Sequence, residues 1–124
     1  MKLSEFDFRI YHNIRNEYIM DKDIISSLFN DLINGATDLT IDYKLELFTG
    51  LYDKKGKKVY ENDIVKVKSL YDYFLAKISI HKEGTFYFEG KNGDYIGSLI
   101  YLVEDEGYTI EAIGNIHENA ELLK

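Results

Sequence analysis

Three groups of side chains in this 124-residue chain supply the residue types needed to hold a planar, phosphate-bearing ligand. Phe8 and Tyr11 flank Arg9, with Arg15 close behind. Tyr71, Tyr73 and Phe74 form a second cluster, and Phe86, Tyr87 and Phe88 a third, followed by Asn92. A nucleotide needs a ring to stack on, a cation for its phosphate and an amide for its base edge. Stacking contributes roughly 1–3 kcal/mol per base, and a charge-assisted Arg–phosphate bond is about twice as strong as a neutral one. Arg9 and Arg15 are the only arginines. The residues read as candidate ligand contacts are therefore Phe8, Arg9, Tyr11, Arg15, Tyr71, Tyr73, Phe88 and Asn92. The competing reading is that the aromatic residues fill the core and a dimer interface. At least one ring of 86–88 must face away from the others, because strand neighbours point to opposite faces.

Other chemistries find little support. His12, His81 and His117 lack the local spacing of a zinc site, which needs about four ligands. Lys54, Lys55, Lys57 and Lys58 could meet phosphates, but a solvated turn that blunts a strand edge explains them as well. Glu104-Asp105-Glu106 reads as an acidic turn rather than a cation site. There is no nucleophilic Ser motif, glycine-rich phosphate loop or paired carboxylates at helical spacing. The expectation is a protein that is not an enzyme, with no cofactor and no metal.

The elements that must position these residues follow from periodicity. Residues 5–12 alternate, with Phe6, Phe8 and Ile10 opposite Asp7, Arg9 and Tyr11, which is a half-buried strand. A turn at 12–16 and a short return strand over 17–20 follow. Over 22–34 the period changes. Ile24, Ile25, Leu28, Phe29, Leu32 and Ile33 share one helical face, with Asp21 or Asp23 as the cap and Gly35 as the stop. Residues 35–40 read as a linking loop. Strands are expected over 41–51 and 59–68, joined by a hairpin at Asp53-Lys54-Lys55-Gly56, with a bulge or sharp bend at Asn62-Asp63. Residues 69–73 are ambiguous. Further strands are read over 74–81, 85–89, 95–104 and 108–113, and the tail can form a helical turn from Asn119. Antiparallel strands at 8–12-residue spacing with one helix give an α+β fold built on a small curled sheet.

Length fits one domain, with 1–40 as a strand pair plus helix and 41–124 as the β-rich part. The net charge of −7 disfavours nucleic acid as a partner. With no Cys there is no disulfide chemistry, which suits a cytoplasmic protein. No N-terminal apolar core of a signal peptide and no apolar run near ~18 residues is present, so no membrane is expected.

The stretch LFTGLYDKKGKKVYENDIVKV closely resembles the signature of the YopX family of phage and prophage proteins. Thr49, Gly50, Leu51, Asp53, Gly56, Tyr60, Glu61, Asp63, Ile64 and Val65 match it, and Asn62 stands where Gly is usual. The tail resembles a family ending of the form I-G-N-I-Y-E-N-P-E-L-L, with Ile113 to Ile116, Glu118, Asn119 and Glu121 to Leu123 in agreement. His117 replaces Tyr and Ala120 replaces Pro. The opening FRIYH is similar to the family's Phe-Arg-Ala-Trp-Asp, with Tyr11 for Trp and His12 for Asp. The resemblance implies a small, oligomer-forming α+β protein with an SH3-like curled sheet, and no known enzyme activity. A further similarity, to phage Thoeris anti-defence proteins, rests on size, phage-like origin and aromatic-rich strands rather than on a residue motif.

These readings combine into one expectation. A homodimer or higher oligomer, in the cytoplasm of an infected or lysogenic bacterial cell, sequesters a small nucleotide immune signal of the cyclic ADP-ribose type. The alternative is an SH3-like phage module that binds a host protein. Either way the motif hairpin is the scaffold, and activity belongs to the N-terminal arginines and the aromatic strands beyond residue 70.

Overall fold

The computed structural model describes residues 6–35 and 42–124. The link expected at 35–40 falls outside them beyond Gly35, as do Glu5 and Ile41 at the starts of two expected strands. The chain forms two compact units, Asp7–Leu47 and Phe48–Lys124, the latter together with Phe6.

In the first unit, β1 (Phe8–His12) pairs antiparallel with β2 (Glu17–Tyr18) and with the first half of β3 (Tyr43–Tyr52). Both Ile10 and Tyr11 are buried, so β1 is covered on both faces rather than half-buried as its alternation implies. The helix α1 (Lys22–Ile33) starts where Asp21 accepts hydrogen bonds from the amides of Asp23 and Ile24, at 2.8 and 3.3 Å. It ends at Gly35, whose φ of +79° suits glycine. Leu28, Phe29 and Leu32 of α1 form a groove with Ile10, Tyr43 and Leu45 of the sheet. Phe29 meets the ring of Phe8 edge-on, centroids 5.1 Å apart.

In the second unit, the end of β3 pairs with β4 (Lys58–Tyr60). A five-stranded antiparallel sheet follows in the order β8-β7-β6-β5-β9, from β5 (Asp63–Lys68), β6 (Tyr73–Ile80), β7 (Phe86–Glu89), β8 (Tyr95–Ser98) and β9 (Thr109–Asn115). Register shifts in the β5–β9 and β7–β8 pairings bend it, since an extra residue on one strand raises local twist. Its inner face holds Val65, Val67, Ala76, Ile78, Phe88 and Ile110, closed by Val59 and Leu99. The fold is α+β, with mostly antiparallel strands, a curled sheet and one main helix.

Two expectations change. The interruption expected at Asn62-Asp63 is present, and it goes further than a bend within one strand: 59–68 is divided at Glu61-Asn62 into two strands. Asn62 sits at φ +69°, and the Asp63 carboxylate accepts the Tyr60 amide at 2.8 Å, so the chain turns sharply and β4 and β5 join different partners. The strand over 95–104 stops at Ser98. Residues 101–105 are π-helical, because Leu99, Leu102 and Val103 reach the core at helical rather than alternating spacing. At the C-terminus, Gly114 has the Asn119 side chain directly over it, and a Cβ there would overlap that amide. Asn119 accepts the Asn115 amide, and Asn115 accepts those of His117 and Glu118, which accounts physically for the tail motif.

Asp53 ties the motif hairpin to β9. One carboxylate oxygen accepts the amides of Lys55 and Lys57, each at 2.9 Å, and the other accepts Ala112 at 3.0 Å. Burial raises the carboxyl's pKa. The three amides and the Lys57 charge outweigh that, so it lies below the ordinary value. A lowered folded-state pKa stabilises the protein above the unfolded carboxyl's value, and that contribution disappears as pH falls through the lower folded value. Asp53→Ala is expected to reduce unfolding free energy by roughly 2–4 kcal/mol, from amides left without an acceptor. Urea titrations from neutral pH downward should show the wild type losing more stability in acid than the variant. Equal acid slopes would contradict this role for Asp53.

Candidate functional site

A cleft of about 450 Å³ opens in the second unit where the β5–β9 ladder ends. Lys68 and Thr109 are register partners at its base. One wall is the β5–β6 loop, Ser69, Leu70 and Tyr71, and the other is Glu106, Gly107 and Tyr108. A second hollow of about 250 Å³, lined by residues 68–73, shares the same loop. The cleft is within the usual size of small-molecule sites, about 300–1,000 Å³. The α1 groove, at about 90 Å³, is far below it.

The loop wall is made by local hydrogen bonds. The Ser69 amide donates to the Asp72 carbonyl at 2.9 Å, and the Asp72 amide donates to the Ser69 hydroxyl at 3.3 Å. This closes a turn whose two central side chains point outward, leaving Leu70 91% and Tyr71 95% exposed. Covering side chains of this size contributes about 1.5–3 kcal/mol each. The next ring, Tyr73, lies under the Lys66 ammonium, 4.4 Å from its centroid.

The facing wall depends on the π-helical turn. The Glu106 amide reaches back to the Tyr101 carbonyl at 3.0 Å, and Tyr108 reaches Leu102 at 2.9 Å. Leu102, Val103 and Tyr108 pack on the core, so Glu106 and Gly107 turn outward, with Gly107 at φ +74°. The Tyr101 hydroxyl donates to Glu106 Oε1 at 2.8 Å. That bond and the carboxylate's charge raise the tyrosine's pKa, so it stays a proton donor at neutral pH. Single π turns are rare and occur disproportionately at functional positions.

The eight residues singled out from the sequence divide between the units. Tyr71 lines the cleft, and Tyr73, the first residue of β6, lines with it the second hollow beside the loop. Phe88 is wholly enclosed in the core and presents no surface to a ligand. Asn92, at φ +63°, builds the turn before β8. In the first unit, Arg9 Nε lies 2.7 Å from Glu46 Oε1, and its guanidinium covers the Tyr18 ring at 4.6 Å. Tyr18 also donates to Glu46, at 2.9 Å. Glu46 has no exposed surface, and a buried carboxylate needs such partners. Arg9 therefore serves the interior of its own unit. Tyr11 is buried and meets Tyr18 edge-on. Arg15 is exposed, 3.9 Å from Glu17, and Phe8 packs on Phe29.

Lys54 and Lys55 pair with Glu111 at 3.1 and 3.8 Å, and Lys58 lies over the Phe48 ring. Sequence reasoning missed Lys68, Glu106, Tyr108 and Thr109 as a group. Their one local signal is the Asp105-Glu106-Gly107 turn. No group of three or more His, Asp or Glu placed to hold a metal occurs among the described residues. No helix among them is long and apolar enough to cross a membrane.

Fold and cleft together define a small α+β protein whose shaped surface lies at the end of a curled antiparallel sheet. A family model described as YopX protein matches residues 7–124, and the chain belongs to that family. No curated protein matches it.

Arg9→Ala would remove the cation that pairs with the buried Glu46 carboxylate and leave the Tyr18 hydroxyl bond in place. It is expected to lower stability by about 3–5 kcal/mol in urea unfolding. A loss below about 1 kcal/mol, the size of an exposed pair, would return Arg9 to the list of ligand residues.

Proposed function

We propose that the protein is a non-enzymatic binder of a small nucleotide-derived ligand of the cyclic ADP-ribose type, acting for a phage by sequestering a host immune signal. The observation that carries this reading is the cleft between the Ser69–Asp72 turn and the 106–109 segment. It combines an exposed ring, Tyr71, with a cation, Lys68, and a second tyrosine, Tyr108. These are the parts that stacking and phosphate neutralisation require. The cation is a lysine rather than an arginine, which suits a point contact with one phosphate rather than a bidentate clamp.

Calorimetry with cyclic nucleotides and ADP-ribose derivatives tests it. Binding is expected, with Tyr71→Ala weakening it by about 5- to 150-fold, as loss of one stacked ring predicts. Ligand released by heat denaturation should be chemically unchanged. Absence of binding to every compound of the series would overturn the reading, and a converted ligand would replace it with an enzymatic one.

A second reading, a module that binds a host protein, is favoured by α1. No residue of this helix is fully buried; Ile24, Leu32 and Ile33 are all exposed, and Leu32 lines the apolar groove. Leu32→Asp is expected to abolish capture of a specific host protein while leaving small-molecule binding unchanged. A host partner retained by that variant would exclude the groove as its docking site.

A further inference from the structure

The cleft has an asymmetric pair of walls, and the asymmetry restricts its ligand. Lys68 contributes a cation at the ladder end. Glu106, on the 106–109 wall, contributes a carboxylate that repels phosphate and accepts hydrogen bonds but cannot donate them. Its position is fixed twice, by its own amide on the Tyr101 carbonyl and by the Tyr101 hydroxyl on Oε1. A carboxylate has about four acceptor positions, and the tyrosine fills one.

We infer that the cleft takes a nucleotide whose base carries an exocyclic amino group, which donates to Glu106 while the phosphate lies towards Lys68. This rests on the small-nucleotide reading of the same cleft. In it, Tyr71 supplies affinity through a contact that every base satisfies. Glu106 supplies selectivity, because a base presenting only a carbonyl or a hydrogen at that edge offers no donor to the acceptor positions that the Tyr101 hydroxyl leaves open. Tyr101 is a positioning residue: it touches Glu106, not the ligand, and its hydroxyl holds the carboxylate in one orientation. The π turn supports this geometry, since its longer hydrogen-bond step places the hydroxyl of residue 101 beside the carboxylate of residue 106.

The test compares adenosine monophosphate with the same nucleotide carrying hydrogen in place of the amino group, by calorimetry on the wild type, Glu106→Ala and Tyr101→Phe. Glu106 and Tyr101 are both exposed, and circular dichroism confirms that each variant folds. The wild type is expected to prefer the amino-bearing nucleotide by about tenfold or more, the ratio of one charge-assisted hydrogen bond. Glu106→Ala should abolish the preference by weakening the amino-bearing nucleotide alone, and Tyr101→Phe should reduce it partially. Equal binding of both nucleotides by the wild type, or a preference that survives Glu106→Ala, would overturn this inference while leaving the small-nucleotide reading intact. Binding of neither nucleotide, with a cyclic ADP-ribose derivative still bound equally well by Glu106→Ala, would overturn it too. Failure of every nucleotide would remove the underlying reading with it.

Discussion

The second unit depends on one carboxylate. Asp53 gathers three backbone amides, two from its own hairpin turn and one from β9, and the Lys54 amide beside it donates to the Ile110 carbonyl. A hairpin turn has few donors and acceptors of its own inside the sheet, so without this clasp the turn and β9 would each present unpaired groups. Asp63 does the same at the β4–β5 corner, and Asn119 at the C-terminal turn. In all three a short polar side chain stands in for missing ladder bonds where the chain changes direction. Such positions admit few substitutions. They are also positions of the motifs by which the chain resembles its family, and the bending of the sheet accounts for each of them.

The same logic explains which parts of the fold were legible in the sequence. Local devices were readable: the Asp21 cap, the glycine stop at Gly35, the left-handed turn at Gly56, and the alternation of the hairpin strands. The 95–104 stretch was misread because Leu99, Tyr101 and Val103 alternate as a strand would, while Leu99, Leu102 and Val103 also satisfy a helical face. Only the core position waiting for Leu102 decides between the two, and that is a tertiary fact. The split of 59–68 was half visible, since Asn62 marks a bend without saying that the two halves enter different pairings.

For the candidate site the limits were of another kind. Tyr71 and Tyr73 stood out as a local cluster, and the structure places Tyr71 in the cleft and both at the hollow beside it. Lys68, Glu106 and Tyr108 did not stand out, because the β5–β9 register brings them together across a long stretch of chain. Arg9 stood out for its rarity and is engaged by Glu46. The register Arg9↔Glu46 is what seats the pair, and no spacing rule within one strand reveals a partner on another. Scarcity of a residue type indicates that it matters, not that it faces a ligand.

The central claim is that the signature hairpin is scaffold and that the loops facing each other across the end of the β5–β9 ladder form the binding surface. Backbone amide chemical shifts followed by NMR during titration with adenosine monophosphate test this most directly. Shifts centred on residues 68–73 and 106–109, with the amides held by Asp53 and Asp63 unmoved, are the predicted result. Shifts centred on the 53–65 hairpin, or on α1, would contradict it.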